Sequence, residues 1–369
     1  MCEDILEQPS KKSNDLFSKP IPPKITVQMV HPSFSVQHET HEPITIIGDD
    51  NFKNIAFMEN WPGDGTPSDP FIIEGYNITG SYGDLIVIHD TTVYFIIRNN
   101  YLNGLSEAWG GLVFYNVNNG IVINNNVKNV DTLGIGVYFS KNINISDNIV
   151  QNTNLNGIRI EACPGPSLVT NNIITNSTDA ALWVGDSSNK TTIEFNTIYE
   201  NTYGIVFTCD VAQYSTSFSS FITNNHIYNN FYGIELSYSN NILISYNSFE
   251  ENFNYGVFLS FTCENTRVKY NNFFENHVEG RSQAKDDGKN NTYKFNFWNE
   301  WTEPDGNDDG IVDNPYEIDG IAYNLDDFPL TTLTNISSKS PNPVNIIFGS
   351  FFLLIIIGSL VILLIKNRK

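Results

Sequence analysis

The stretch GIGVYFSKNINISDNIVQNTNLN, residues 134–156, decides the fold of this chain, and Gly157 opens a similar stretch directly after it. Within it, apolar residues alternate with small or polar ones in short runs such as Gly134–Tyr138 and Asn142–Ser146. Alternation with a period of two is typical of β-strands, whereas a helix repeats its apolar positions every three or four residues. The stretch therefore predicts short strands separated by turns that contain Asn and Gly.

The same unit recurs along the chain with a period of about 23 residues. Helical repeats have longer periods and leucine-rich repeats need a lattice of Leu, so the pattern predicts an all-β fold, a parallel β-helix with three-strand coils. Residues 84–297 then supply nine or ten coils. The residues that open successive units lie 23, 23, 24, 23, 29 and 23 residues apart: Gly111, Gly134, Gly157, Ala181, Gly204, Gly233 and Gly256.

Asparagine is the most unusual feature of the composition, with 51 Asn and 43 Ile in 369 residues. Asn tolerates a positive φ better than other residues that bear a side chain, which suits the tight corners of a coil. Stacked Asn amides also bond to one another along a ladder and satisfy buried polar groups. We predict such structural corners at Asn148, Asn172, Asn196, Asn225, Asn247 and Asn272.

The charge balance excludes one class of partner. The chain has 41 acidic and 20 basic residues and a net charge of −21, whereas nucleic-acid binding requires a basic surface. A disulfide or a shared metal site is not expected for the cysteines, because Cys163, Cys209 and Cys263 fall on alternate coils, about 10 Å apart and beyond disulfide reach. We expect them to be small core or turn residues.

A membrane anchor is predicted at Ile346–Ile365, 20 residues without a charge, which is the length of one spanning helix. The basic tail at residues 366–369 favours the cytoplasmic side, which places the body outside. The N-terminus, however, has no apolar stretch of a secretory signal. Two interpretations stay open: a signal peptide upstream of this start, which we favour, or a tail-anchored protein with a cytosolic body.

The remaining segments are assigned by composition. We predict a disordered leader over residues 1–42, an N-terminal cap over 43–83, a C-terminal cap over 298–333 and a polar linker over 334–345. Solenoids need caps because the first and last coils expose unpaired strand edges.

The two end segments carry a family resemblance that is more specific than the repeat. The matching residues are Gly63 to Gly65, Asp69 to Gly75, Asn296 to Trp298 and the run from Asp309 to Gly320. Over about residues 43–330 the chain resembles right-handed β-helix repeat proteins of the NosD-like, pectin-lyase-like superfamily, especially archaeal surface-anchored members. The resemblance implies a right-handed parallel β-helix, often with a sugar-related role, and in the NosD branch help in copper-enzyme maturation.

The copper role fits this sequence poorly. Copper handling favours clusters of Met, Cys or His, but the Met residues stand at 1, 29 and 58, and His31, His38 and His41 lie in a Pro-rich leader. We do not expect copper binding.

Calcium is the metal that the sequence does suggest. Asp305, Asn307, Asp309 and Asp313 place oxygen ligands at positions 1, 3, 5 and 9 of an EF-type loop, with Gly310 at the sharp turn. Tyr316 stands at position 12, where a bidentate acid is usual. We expect a structural Ca²⁺ in the C-terminal cap, and the alternative is an acidic loop without metal.

A candidate functional surface follows from aligning the coils. Alternate residues of the strand that follows each opening residue point outward, and the best patch there is Tyr138, Arg159, Glu161 and Trp183. Exposed aromatic, acidic and amide groups suit sugar rings, so we predict binding of a surface polysaccharide or an envelope protein. Glu161 and Glu235 lie three coils apart, too far for glycoside hydrolysis. A polysaccharide lyase or hydrolase and a structural spacer remain as alternatives.

Overall fold

The computed structural model describes residues 38–186, 188–209, 216–217, 219–276 and 281–336. Three parallel sheets run along this part of the chain, and each coil contributes one strand to each of them. We number the sheets in the order in which a coil visits them. The strands of sheet 1 are Ile44–Ile47, Asp84–Thr91, Gly110–Val117, Leu133–Tyr138, Asn156–Glu161, Ala180–Gly185, Tyr203–Thr208, Tyr232–Leu236, Tyr255–Leu259 and Ala284–Asp286.

The other two sheets have the same organisation. The strands of sheet 2 are Phe71–Glu74, Phe95–Arg98, Gly120–Ile123, Ile143–Ser146, Ser167–Thr170, Thr191–Glu194, Phe221–Thr223, Leu243–Ser245, Arg267–Lys269, Thr292–Lys294, Leu325–Asp326 and Tyr316–Glu317. The strands of sheet 3 are Glu39–His41, Tyr76–Thr79, Tyr101–Asn103, Asn126–Val130, Ile149–Thr153, Ile173–Ser177, Thr197–Tyr199, His226–Tyr228, Ser248–Glu250, Asn272–Phe274 and Phe297–Trp298. A short separate pair joins Thr216–Ser217 to Ser239–Asn240.

Strand register confirms the predicted period. Leu133 pairs with Gly110 on one side and with Asn156 on the other, a step of 23 residues each time. Tyr203 pairs with Tyr232 across the 29-residue coil. Sheet 1 has ten strands and only the first precedes Asp84, so nine coils follow, in agreement with the predicted β-helix.

The N-terminal boundary differs from the prediction. Three-strand coils begin at Ile44 rather than at residue 84, because the segment expected to be only a cap already contributes a strand to each sheet. The only helix among the described residues, Asp49–Met58, interrupts this first coil and buries Phe52 and Ala56 over the open end of the core. Residues 1–37 of the predicted disordered leader lie outside the described residues. Near the end of that predicted segment, Glu39–His41 forms a strand.

Inward-facing side chains form apolar ladders through the centre of the coils. One ladder in sheet 2 consists of fully buried side chains: Ile145, Val169, Ile193, Ile222, Ile244 and Val268. Each buried aliphatic side chain stabilises the fold by about 1.5–3 kcal/mol relative to an exposed one. The alternation read from the sequence therefore corresponds to the division between core and surface.

The asparagines make a buried ladder of their own at the corner between sheets 2 and 3. Each side-chain Nδ2 donates to the Oδ1 of the next member at 2.9–3.0 Å, and the backbone N–H donates to the same oxygen. The members are Asn100, Asn125, Asn148, Asn172, Asn196, Asn225, Asn247, Asn271 and Asn296. Asn272 was predicted as a member and is not one, because its neighbour Asn271 occupies that position.

Of the two reasons predicted for these asparagines, amide stacking is confirmed and the positive φ needs correction. The left-handed residue at each corner is the one before the ladder Asn, and it is Asp147, Phe195 or Tyr246 as readily as Asn. Ladder bonding, not a positive φ, therefore explains why Asn recurs at these positions.

Asp326 terminates the ladder at the C-terminal end. Its carboxylate accepts N–H bonds from Asn296, Phe295, Phe328 and the Trp298 indole, at 2.9–3.2 Å. Burial raises the pKa of this carboxyl, and the hydrogen bonds oppose the rise. A carboxylate suits the end of the ladder because it only accepts, while every preceding member donates toward it.

The aromatic core is closed by the C-terminal segment. Phe249, Phe273, Trp298 and Tyr316 stack in sequence with ring centroids 4.0–4.9 Å apart. Beyond them, Thr334 exchanges two hydrogen bonds with Asn272. No helix within the described ranges is long and apolar enough to span a membrane, and the predicted span at 346–365 lies outside those ranges.

Candidate functional site

The outward face of sheet 1 carries the predicted patch. Side chains alternate along each strand, and register aligns the outward ones into columns. One column is His89, Tyr115, Tyr138, Glu161, Gly185 and Thr208, and its neighbour is Val87, Val113, Gly136, Arg159, Trp183, Val206, Glu235, Phe258 and Lys285. Both columns agree with the alignment made from the sequence.

Three rings stack along the first column. The His89 and Tyr115 centroids lie 4.8 Å apart, and those of Tyr115 and Tyr138 lie 4.7 Å apart and nearly parallel. Burial raises the pKa of the Tyr138 hydroxyl well above its usual value, and Arg159 opposes the rise. Tyr138 is therefore a neutral hydrogen-bonding group and not a proton acceptor near neutral pH.

Arg159 joins the other predicted residues into one cluster. Its Nε donates to Glu161 Oε2 at 2.7 Å, and its guanidinium carbon lies 3.8 Å from the centroid of a Trp183 ring. Trp183 is only 6% exposed, and its ring lies across Gly185, where an added Cβ would meet it at 2.1 Å. Trp183 was expected as an exposed surface for sugars, but it supports Arg159 from beneath.

A second aromatic group on the same face was missed from the sequence. The Tyr203 and Tyr232 rings stack at 5.5 Å, and the Tyr232 ring lies 6.5 Å from Tyr255 and 5.9 Å from Phe258. The signal was present, because a Tyr precedes the opening glycine in three successive coils. The sequence alignment of outward positions began after that glycine and therefore left the tyrosines out.

Glu235 lies beside this second group. It pairs in register with Val206 on one side and with Phe258 on the other. Its carboxylate has no hydrogen bond or ion pair with the residues that the structure describes. Burial raises the pKa of Glu235, and the nearby carboxylate of Asp179 raises it further.

This environment predicts a pH effect on stability. The folded-state pKa of Glu235 lies above the usual value of 4.5, so the folded protein holds this proton more tightly than the unfolded chain does. The stability that the protonated carboxyl contributes is complete below pH 4.5 and is lost as the pH rises through the folded-state pKa. The Glu235→Gln variant lacks this loss. We expect the unfolding midpoint of the variant to exceed that of the wild type increasingly as pH rises from about 3.5 to about 7.

Thermal unfolding of both proteins across this range measures the difference. Glu194→Gln serves as the control, since Glu194 is a half-buried strand carboxyl of sheet 2. A difference that shrinks with rising pH contradicts the assignment.

The two glutamates compared from the sequence, Glu161 and Glu235, do not form a compact group. Glu161 and Glu235 lie on strands three steps apart, about 14 Å at the usual strand spacing. Asp84, not singled out from the sequence, lies near the other end of the face, and burial raises its pKa. Glu161 and Glu235 are therefore too far apart to act as the pair of carboxyls, at about 5–10 Å, that glycoside hydrolysis uses.

The predicted calcium loop is well ordered by its own hydrogen bonds. Asp305 accepts N–H bonds from Asp309 and Gly310 at 3.2 and 3.0 Å, and Asp313 accepts one from Gly306 at 2.9 Å. Asn307 Nδ2 donates to Asp309 Oδ2 at 3.0 Å. Within the described residues, no group of three or more His, Cys, Asp or Glu is arranged to hold a metal. Calcium binding stays a prediction.

Calcium binding is testable through stability. If the loop takes Ca²⁺, a concentration 100 times the Kd stabilises the fold by about 2.7 kcal/mol. We expect added Ca²⁺ to raise the unfolding midpoint of the wild type and of Asp327→Ala, an acid outside the loop, but not that of Asp309→Ala. Equal midpoints with and without Ca²⁺ in the wild type, together with no heat of binding in titration calorimetry, contradict the prediction.

Two of the cysteines are poorly suited to bind copper. Cys163 and Cys263 are buried, and burial raises their pKa values to about 11 and about 12, which opposes the thiolate form that binds metal. Met58 is exposed on the N-terminal helix, far along the chain from both thiols. These soft ligands do not share a site.

Two protein-family models match the chain. One, described as right handed beta helix region, matches residues 60–198. The other, described as periplasmic copper-binding protein (NosD), matches residues 169–320. Together they confirm the resemblance to right-handed β-helix and NosD-like proteins. No curated protein matches the sequence significantly.

Solved structures also resemble the chain. The A-module of mannuronan C-5 epimerase AlgE4 from Azotobacter vinelandii is 13% identical with a TM-score of 0.44, covering 69% of this chain and 87% of that one. The periplasmic alginate epimerase AlgG is 10% identical with a TM-score of 0.44, covering 71% and 81%. The Dettilon tailspike protein is 11% identical with a TM-score of 0.39, covering 69% and 59%. At these values the similarities carry no information on function.

Proposed function

We propose that this chain, a right-handed parallel β-helix repeat protein of NosD-like type, binds a polysaccharide along the outward face of sheet 1. The observation that carries the proposal is the pair of aromatic groups on that one face, around Tyr138 and around Tyr232. From His89 to Lys285 the face covers nine consecutive strands, about 38 Å at the usual strand spacing. A surface of that length suits a polymer.

The chemistry of the face supports this function. Tyrosine and phenylalanine offer an apolar ring on which the C–H face of a sugar packs, and the tyrosine hydroxyl keeps a polar tip for hydrogen bonding. The Arg159–Glu161 pair adds charged donors and acceptors at the middle of the face. Repetition of the coil places such groups at regular intervals.

We also propose where the body is located. The apolar run at 346–365 and the basic tail after it support a membrane anchor with the body outside the cytoplasm. The family model matched over residues 169–320 is described as periplasmic, which supports the same placement. A surface polysaccharide is then within reach, and an envelope protein is the alternative partner.

Binding to a glycan array of the full chain in detergent tests the proposal. We expect Tyr232→Ala and Tyr138→Ala to weaken binding about tenfold each, because each removes a stacking ring worth about 1–1.5 kcal/mol. Tyr323→Ala is the control, since Tyr323 is 86% exposed but belongs to the C-terminal segment.

The outcomes separate the alternatives. Absence of any glycan binding contradicts the proposal and favours a structural spacer or a protein partner. Release of reducing ends from a bound glycan, lost in Glu161→Gln, points instead to an enzyme.

A further inference from the structure

This inference rests on the proposed function. The charges on the outward face of sheet 1 restrict the class of glycan that can bind there. The arginine and the lysine of its columns are already neutralised. Arg159 binds Glu161 at 2.7 Å, and Lys285 Nζ lies 2.9 Å from Asp287 Oδ2. Two further acids lie on this face, Glu235 in an outward column and Asp84 near one end of the face, so the face is left with negative charge. A polyuronate, which carries one carboxylate per sugar, is repelled by such a surface.

Glu235 is the acid of this face without a partner among the described residues. Burial raises the pKa of Asp84 as well, but His89 and the Gly110 backbone oppose that rise. A half-buried carboxylate with no hydrogen bond is costly, and a ligand that supplies a donor relieves that cost. A cationic donor relieves it most, because charge-assisted hydrogen bonds are about twice as strong as neutral ones.

The surroundings of Glu235 favour a cation further. Phe258 lies beside it on the next strand, and the stacked Tyr203 and Tyr232 lie on the same face. The carboxylate of Asp179 is close enough to affect both Glu235 and Tyr203. Lys285 does not reach Glu235, since it lies two strands away over the Phe258 ring and is bound to Asp287. Aromatic rings next to carboxylates are the groups that bind ammonium ions in proteins.

We propose that Glu235 binds an amino group of the ligand, so that the polysaccharide taken by sheet 1 is built from sugars with free amines and is not a polyuronate. Tyr203 and Tyr232 pack against the amine-bearing ring, and Asp179 adds a second negative charge. The 2-amino group of a hexosamine is small enough to approach a carboxylate on a flat sheet.

Three probes of equal length test this assignment on the full chain in detergent at about pH 6, where the sugar amine is protonated: a glucosamine hexamer, an N-acetylglucosamine hexamer and a galacturonate hexamer. Acetylation removes only the charge and the ammonium donors. We expect the glucosamine hexamer to bind about 10- to 100-fold more tightly than the acetylated one, with a preference that weakens as salt is added. The Glu235→Gln variant should lose most of this preference, since only the charge of Asp179 remains, while Glu194→Gln should keep it.

The results distinguish the two proposals. Equal binding of the two hexosamine probes by the wild type, tighter binding of galacturonate, or an unchanged preference in Glu235→Gln overturns the amine assignment and leaves glycan binding intact. Absence of binding to all three probes and to a wider glycan array overturns both. The variant is expected to fold, since removal of an unpaired carboxylate raises its stability at neutral pH, and its unfolding midpoint verifies this.

Discussion

Replacing Asn196 by alanine is expected to lower the free energy of unfolding by about 3–4 kcal/mol, because the substitution interrupts the buried ladder at its centre. Asn196 Oδ1 accepts the backbone N–H and the amide of Asn172. Its own amide donates to Val169 O, to Glu194 O and to Asn225 Oδ1. Removing one side chain leaves several of these buried groups without a partner, and each costs about 1–3 kcal/mol.

Unfolding by urea or heat, followed by circular dichroism of the full chain, measures this loss. Asn154→Ala is the matched control, because Asn154 is exposed and its amide bonds only to Asp131 Oδ1. We expect the control to change stability by less than about 1 kcal/mol. If the two variants have the same free energy of unfolding, the ladder is not a major source of stability.

Gly157→Val is expected to destabilise the fold by about 3 kcal/mol, since the position has no room for a side chain. A Cβ there would lie 2.4 Å from Ile174 Cγ2 and 2.6 Å from the carbonyl oxygen of Ala181 on the next coil. The carbonyl belongs to the backbone and moves only if the two coils separate. The same short distance to the next carbonyl recurs at Gly134 and Gly204.

Gln151→Val provides the comparison for Gly157→Val, because it introduces the same side chain on the outward face of the neighbouring strand of sheet 3. Its effect on the unfolding midpoint is expected to be small. A Gly157→Val protein as stable as the comparison variant would falsify the steric argument and imply that adjacent coils are less closely packed than described.

The ladder shows what sequence reasoning can and cannot resolve. Spacing alone predicted that Asn amides stack along the coil, and Asn148, Asn172 and Asn196 do so. The same reasoning placed Asn272 in the ladder, since NN pairs leave open which member turns inward. The structure assigns the inward position to Asn271 and leaves Asn272 to bind Thr334.

The candidate site was predictable to a similar extent. Alternation and period identified the outward columns, and so Tyr138, Arg159 and Glu161 were found together. The solvent exposure of each outward side chain was not predictable from alternation and period. Trp183 shares the outward column, yet its ring folds over Gly185 beneath Arg159 and is buried. The sequence indicated only that Glu235 is too far from Glu161. The structure is needed to see that the Glu235 carboxylate has no partner among the described residues.

The sequence by itself determined the parallel β-helix, its period and its division into core and surface, because a 23-residue repeat of alternating residues brings each strand beside its own copy. The tertiary structure alone decided which side chains remain available for a ligand. Availability depends on side-chain contacts that the repeat does not show, such as the salt bridge of Arg159 with Glu161 in its own strand and the packing of Arg159 over the Trp183 ring of the next coil. The rotamers behind these contacts depend on packing against the next coil, as with Arg159 on Trp183, and a local pattern does not encode that packing.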